Sequence, residues 1–220
     1  MSVYEKMTSI AAAIREKTGE PELLTLDGMA EAIPIVYEKG RESEYDRFWD
    51  AYQNYGKRRY YASFFNNEGW DDQTFDPKYD IVCGGNAASM LAYSKVTNIK
   101  KTIDVSNATG GISYLMYRSA VKTVTNLVVA ENIPFYDNTF GYCEALEDIT
   151  ITGTIGTGVI NFQWSTKLSK ASITSIINAL SDTKTGMSIT FSQAAKEAAF
   201  TADEWSALIA TKPNWTINLV

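Results

Sequence analysis

Residues 124–132, VTNLVVAEN, carry the pattern that decides the fold. Within them, the alternation Leu127-x-Val129 is typical of a short strand with one buried face. The same alternation recurs as Ile103-x-Val105 and Ile149-x-Ile151, which begin 24 positions before and 22 positions after Leu127. One such unit is too short to bury its apolar face alone, so the recurrence predicts neighbouring units that stack on one another.

An interval of 22 to 24 residues is the period of a leucine-rich repeat (LRR). Aromatic residues keep the same interval ahead of each strand, at Tyr93, Tyr117 and Tyr142. We therefore predict an α/β protein: an irregular LRR solenoid with short parallel strands. We expect Ile103, Val105, Leu127, Val129, Ile149 and Ile151 to face one continuous core.

The C-terminal part of the chain alternates helical and strand patterns. Residues 172–180 and 194–210 have apolar side chains at helical spacing, whereas Ile189-x-Phe191 and residues 215–219 alternate as strands do. Strand–helix–strand order favours parallel pairing. We interpret this part as a helical C-terminal cap that hides the open end of the solenoid.

Three regions are predicted along the chain. Residues 1–35 read as an N-terminal helical hairpin, 36–78 as a connecting helix with a docking segment, and 79–220 as the LRR domain. The hairpin is too small for a secure core of its own. We expect it to mediate self-association or docking to a larger assembly.

Composition excludes several classes of function. The 220 residues carry a formal net charge of −6, which argues against nucleic acid as a partner. Histidine is absent, which excludes a Ser-His-Asp triad, a Cys-His pair and an imidazole metal ligand. Cys83 and Cys143 lie in apolar surroundings and are predicted to be small buried side chains rather than a disulfide. We expect no cofactor, no structural zinc and no membrane insertion.

The acidic residues can be interpreted as metal-binding or catalytic groups, or as caps, turns and solvated surface positions. Asp71, Asp72, Asp76 and Asp80 are candidate calcium ligands, although caps and turns account better for them, and whether Asp71, Asp72 and Asp76 bind an ion stays open. Carboxylates for glycoside hydrolysis are available at Glu144, Glu147 and Asp148, but the repeat frame places them in solvated positions. The glycine-rich residues 153–158 lack the ending of a phosphate loop and read as a turn.

Several aromatic residues fall outside the apolar periodicity. We predict a candidate interaction surface from them, formed by Tyr60, Tyr61, Tyr114 and Tyr136. Amphipathic rings suit both protein interfaces and sugar faces. Packing inside the core or along its edge is the alternative for each of these rings.

Residues 140–151, FGYCEALEDITI, resemble the BspA-like (type 5) leucine-rich repeats of bacterial surface proteins. The order of parts also resembles LRR proteins encoded in phages and prophages of Firmicutes. The stretches that carry this resemblance are residues 7–33, 44–50, 69–79, 167–173 and 215–217.

The resemblance implies a non-enzymatic, virion-associated or adhesion-like protein that binds another protein or a cell-surface glycan. It implies a location on a virion or an extracellular surface after synthesis in the bacterial cytoplasm, with no visible signal peptide. A bacterial cell-surface LRR adhesin and a tail-associated glycan hydrolase are the alternatives.

Overall fold

The computed structural model describes Asp72 and residues 80–220. All of them belong to one compact unit, Tyr52–Val220. The predicted hairpin at 1–35, nearly all of the connecting region 36–78, and Tyr60 and Tyr61 lie outside the described residues.

The described part is a mixed α/β structure with short parallel strands in two sheets, as predicted at that level. The first sheet has four strands in the order β1-β2-β3-β4, and the second has three in the order β5-β6-β7. Every neighbouring pair of strands is parallel. The strands are β1 (Ile81–Gly84), β2 (Asn98–Asn107), β3 (Thr123–Val129), β4 (Asp148–Gly153), β5 (Val159–Phe162), β6 (Met187–Phe191) and β7 (Trp215–Leu219).

The six predicted core positions of β2, β3 and β4 are buried, with exposed fractions between 0% and 7%. Ile103 pairs with Leu127, and Leu127 pairs with Ile151. The predicted alignment of Ile149 with Leu127 is therefore wrong by two residues: Leu127 lies opposite Ile151, and Ile149 lies opposite Val124. Side chains alternate between sheet faces, so a two-residue error keeps the same residues inside.

A second layer is built from the segments that follow β1, β2 and β3, which we call the turn segments: residues 87–94, 112–119 and 136–143. Backbone hydrogen bonds join each to the next, such as Leu91 N–H to Leu115 O (2.8 Å) and Met116 N–H to Thr139 O (3.0 Å). A parallel bridge between Phe135 and Gly158 continues this layer to the start of β5. The turn segments and the second sheet thus form one hydrogen-bonded series.

Aromatic side chains run through the core of the second layer. Phe140 stacks on Phe162 with ring centroids 4.6 Å apart, and Phe162 stacks on Phe191 at 5.8 Å. The cysteines are buried thiols without a disulfide between them, as predicted. Burial raises the pKa of the Cys143 thiol to about 12.

Three helices follow: α1 (Lys170–Ala179), α2 (Gln193–Ala199) and α3 (Ala202–Ala210). The helical pattern over 194–210 predicted one helix, but the structure has two, because α2 ends at Ala199 and α3 begins after Thr201. Thr201 forms a capping box, in which its hydroxyl accepts from Glu204 N–H while the Glu204 carboxylate accepts from Thr201 N–H. This reciprocal cap favours a new helix start over continuation.

Helix α1 takes the place of a fifth strand beside β4. The backbone N–H groups of Ile149 and Ile151 donate to the hydroxyls of Ser172 and Ser175, each across 2.9 Å. These hydroxyls satisfy polar groups that an open sheet edge would leave unpaired. The four-stranded sheet is therefore closed on this side by side chains of a helix.

Candidate interaction surface

Each turn segment has a left-handed residue near its end, which places equivalent side chains at the same corner. Tyr93, Arg118 and Tyr142 each have a left-handed backbone, with φ of 58°, 52° and 56°. Residues other than glycine rarely adopt this region. All three side chains are exposed, and the next residue in each segment is buried.

The corner position of the middle segment differs from the sequence-based alignment. The 24-residue spacing aligned Tyr117 with Tyr93 and Tyr142, but the left-handed residue there is Arg118. The backbone hydrogen bonds agree, since Tyr93 N–H donates to Tyr117 O and Arg118 N–H donates to Gly141 O. In a parallel arrangement, these bonds place Arg118 level with both tyrosines.

Four exposed rings and one half-buried ring form a continuous surface that we call the aromatic row: Tyr93, Tyr114, Tyr142 and Trp164 are exposed, and Tyr117 is half-buried. Tyr117 is its centre and meets Tyr93, Tyr114 and Tyr142 edge to face, at centroid distances of 5.8, 5.0 and 5.5 Å. Trp164 stacks on Tyr142 at 4.6 Å with an angle of 14°. Both geometries are favoured for aromatic pairs, so each ring is held by its neighbours.

Gly141 makes room for the central ring. A Cβ atom at this position would lie 3.0 Å from Cδ2 and 3.1 Å from Cε2 of Tyr117. A larger residue would require the Tyr117 ring to shift by a few tenths of an ångström. The row therefore depends on the pairing of a glycine in one turn segment with a tyrosine in the segment before it.

Arg118 inserts its guanidinium among the rings. Its central carbon lies 4.8 Å from the ring centroid of Tyr142 and 5.5 Å from that of Tyr117, which is cation–π geometry. Tyr142 is therefore contacted by Arg118 from the preceding turn segment and by Trp164, which follows β5. Among the described residues, the Arg118 guanidinium forms no hydrogen bond or ion pair, and the side chain is exposed.

A shallow groove of about 660 Å³ follows the row between Tyr93 and Tyr142. Its charged lining residues are Lys95, Arg118 and Glu144, two cations and one carboxylate. Ser94 also lines the groove, and its buried hydroxyl has no hydrogen-bond partner within the described part of the chain. The groove thus combines aromatic rings, a local excess of positive charge and an unsatisfied hydroxyl.

Of the two predicted surface residues that the structure describes, Tyr114 belongs to the aromatic row and Tyr136 does not. Tyr114 is 43% exposed and belongs to the aromatic row. Tyr136 is 41% exposed, but its ring lies against Gly111, and in the described region no ring contact links it to the row. Sequence reasoning missed Arg118 and Trp164, and it treated Tyr93 and Tyr142 as repeat anchors rather than as surface residues.

The Asp72 carboxylate caps the backbone N–H groups at the start of β2. Its carboxylate accepts hydrogen bonds from the N–H and hydroxyl of Thr97 and from the N–H of Asn98. Burial alone would raise the pKa of Asp72, but these hydrogen bonds outweigh it and hold the pKa below its usual value. Asp80 similarly accepts from Thr102 N–H at 2.9 Å.

The remaining acidic candidates do not converge on a metal-like cluster. Within residues 80–220 and Asp72, no group of three acidic or cysteine side chains is placed to hold an ion, and Asp71 and Asp76 lie outside this set. Glu144 and Asp148 are exposed, whereas Glu147 is half-buried. Asp148 accepts from the hydroxyl of Ser169, which caps helix α1.

The glycine-rich residues 153–158 connect β4 to β5. Gly153 and Gly158 have φ of +98° and +110°, and a Cβ atom on either would overlap a backbone carbonyl oxygen, that of Val129 or Phe135. Their function in the fold is therefore close backbone packing against the preceding unit.

The chain matches no protein-family model, no curated protein and no solved structure. In the part of the chain that the structure describes, none of the helices is both long and apolar enough to cross a bilayer.

Proposed function

We propose that this chain is a non-enzymatic binding protein, in which irregular leucine-rich repeats form a solenoid that presents the aromatic row as its recognition surface. The solenoid is supported by the register Ile103–Leu127–Ile151 and by the hydrogen bonds that join successive turn segments. The observation that carries the binding function is the continuous row of exposed rings held across successive units.

The composition of the row is that of a contact surface. Tyrosine, tryptophan and arginine contribute most often to the energetic centres of protein interfaces. A contiguous exposed aromatic patch is uncommon on a protein surface that has no partner. The rings also brace one another, so binding would cost little side-chain entropy.

A place on a phage or prophage virion is the second part of the proposal. Its support is the resemblance of residues 7–33, 44–50, 69–79, 167–173 and 215–217 to LRR proteins encoded in phages and prophages of Firmicutes. Mass spectrometry of purified particles from the induced host should detect the chain. Consistent absence from particles contradicts this part and favours the alternative, a bacterial cell-surface adhesin.

The binding part is tested by comparing two faces of the molecule. One variant carries Tyr142→Asn and Trp164→Ala, since asparagine tolerates the left-handed backbone at 142. The matched control carries Thr125→Ala and Thr150→Ala, which change exposed residues of the four-stranded sheet. Circular dichroism and urea unfolding establish that both variants are folded.

Binding of each chain to cell envelopes of the host is then measured by cosedimentation. We expect the variant of the aromatic row to lose at least about tenfold in affinity, as removal of a central aromatic contact does, and the sheet variant to bind normally. Normal binding by the row variant, or loss by the sheet variant alone, contradicts the proposal.

A further inference from the structure

The groove along the aromatic row fits one class of partner. We infer that its occupant is an acidic segment of another protein, in which a carboxylate binds Arg118 and neighbouring apolar side chains pack on the edges of Tyr93 and Tyr142. This inference rests on the proposed function, because it names the partner of the same surface.

The charges of the groove favour an acidic partner. The Arg118 side chain is exposed and lies over the Tyr142 ring, and its guanidinium has no hydrogen bond or ion pair among the described residues, so its planar fork of N–H groups can bind a carboxylate in bidentate fashion. Lys95 adds a second cation at the groove, against the single carboxylate of Glu144. This local excess of positive charge contrasts with the formal net charge of −6 of the whole chain.

The packing of the rings favours a polypeptide over a sugar as the occupant. Stacking of a sugar ring requires an open aromatic face, and at Tyr142 the Arg118 guanidinium lies over the ring while Trp164 stacks on it. Tyr117 is enclosed by the edges and faces of three other tyrosines. Beside these rings the groove offers two cations, Arg118 and Lys95, and the hydroxyl groups of Ser94 and Ser119. These suit the mixed apolar and charged side chains of a protein segment.

The shape of the groove favours an extended segment. The groove is shallow and open, so it accommodates an extended segment rather than a small molecule enclosed on all sides. Its lining runs from Tyr93, through Arg118, to Tyr142, which belong to successive turn segments. An occupant that touches all three therefore crosses several units of the fold, as a polypeptide segment can.

The test uses the full chain and defined probes. Fluorescein-labelled 12-residue peptides alternate glutamate with leucine, phenylalanine or threonine, and each has a twin with glutamine in place of glutamate. Oligogalacturonate, a carboxylated oligosaccharide, and a neutral maltooligosaccharide are the saccharide probes. Binding is measured by fluorescence anisotropy for labelled probes and by competition for the others.

The expected result is that at least one glutamate peptide binds about tenfold more tightly than its glutamine twin and more tightly than either saccharide. Arg118→Gln should abolish that preference. Arg118→Lys should keep only part of it, because an ammonium group lacks the planar fork of the guanidinium. Lys184→Gln removes an exposed cation that does not line the groove and should leave binding unchanged.

Equal binding of glutamate and glutamine peptides overturns the inference, as does failure of every peptide to bind. Tighter binding of oligogalacturonate overturns it in favour of a glycan, above all if Arg118→Gln strengthens that binding by opening a face of Tyr142. In any of these cases the proposed function survives if the Tyr142→Asn, Trp164→Ala chain still loses envelope binding. If that chain binds envelopes normally, the proposed function has failed as well.

Discussion

The hydroxyl of Ser175 accepts a hydrogen bond from the backbone N–H of Ile151 across 2.9 Å. With the equivalent bond from Ile149 to Ser172, it turns helix α1 into the closing element of the four-stranded sheet. A serine in the interior of a helix is usually neutral or slightly unfavourable. Here its hydroxyl replaces the carbonyl that a further strand would have offered.

Ser175→Ala should lower the free energy of unfolding by about 1–3 kcal/mol, the cost of leaving a buried N–H group unsatisfied. The control is Thr174→Ala, on the same helix and also half-buried, whose side chain has no hydrogen bond among the described residues. Urea unfolding of both variants measures the difference. An equal effect of the two substitutions would mean that the hydroxyl of Ser175 does not close the sheet.

Leu127→Ala tests the core of the repeating strands. Leu127 is fully buried between Ile103 and Ile151, so its truncation should cost about 2–5 kcal/mol. Val128→Ala changes the half-buried neighbour that points to the other face of the same strand, and its effect should be smaller. A loss below about 0.5 kcal/mol for Leu127→Ala would show that this leucine does not occupy the core.

Two glycines with a left-handed backbone allow the cost of backbone strain to be measured apart from the cost of a close contact. Gly186 has φ of +76° and open space around it, so Gly186→Ala should cost only the backbone strain of about 1–2 kcal/mol. Gly158→Ala adds overlap with the carbonyl oxygen of Phe135 and should cost about 1–3 kcal/mol more. If denaturant unfolding gives the same loss for both, the contact between Phe135 and Gly158 is not as close as described.

Sequence reasoning succeeded where a pattern reports burial directly. The alternation at Leu127-x-Val129 and its relatives predicts strands whose inward side chains are buried, and they are. It failed at the register of Ile149, because an alternating pattern keeps the same side chains inside when it is moved by two residues and so does not fix the pairing. It also missed the break at Thr201, because the alanine-rich residues on either side favour a helix and only the Thr201–Glu204 pair signals the stop.

The candidate surface was only partly predictable for a different reason. Tyr114 stood out because it interrupts the apolar periodicity. Arg118 and Trp164 belong to the surface only through contacts between units 22 to 25 residues apart, and a left-handed backbone places Arg118 where the spacing suggested Tyr117. A one-residue difference within a turn is invisible to an argument from period alone.

Asp72 should make stability depend on pH. Its pKa is lowered in the folded chain from the usual 3.8, so its stabilising contribution is fully present above about pH 3.8. As the pH falls through the lower folded value, the carboxylate is protonated and that contribution is lost. The difference in unfolding free energy between wild type and Asp72→Asn should therefore be constant from pH 7 to 5 and shrink below pH 3.8.

Asp137→Asn is the control for this series, since Asp137 is exposed and its carboxylate has no hydrogen bond among the described residues. Urea midpoints at pH 7, 5, 4 and 3 measure each difference. If the difference in unfolding free energy between wild type and Asp72→Asn grows as the pH falls, the Asp72 carboxylate does not stabilise the start of β2 as a cap.

The central claim, that binding occurs through the aromatic row, is tested most directly by hydroxyl-radical footprinting of the full chain with and without host cell envelopes. Tyr93, Tyr114, Tyr142 and Trp164 are 47%, 43%, 36% and 38% exposed, so all four should be oxidised in the unbound chain. Tyr136, 41% exposed and outside the row, is the internal reference. Our account predicts strong protection of the four row residues on binding and clearly weaker protection of Tyr136. Binding that leaves the row residues as reactive as in the unbound chain would contradict it.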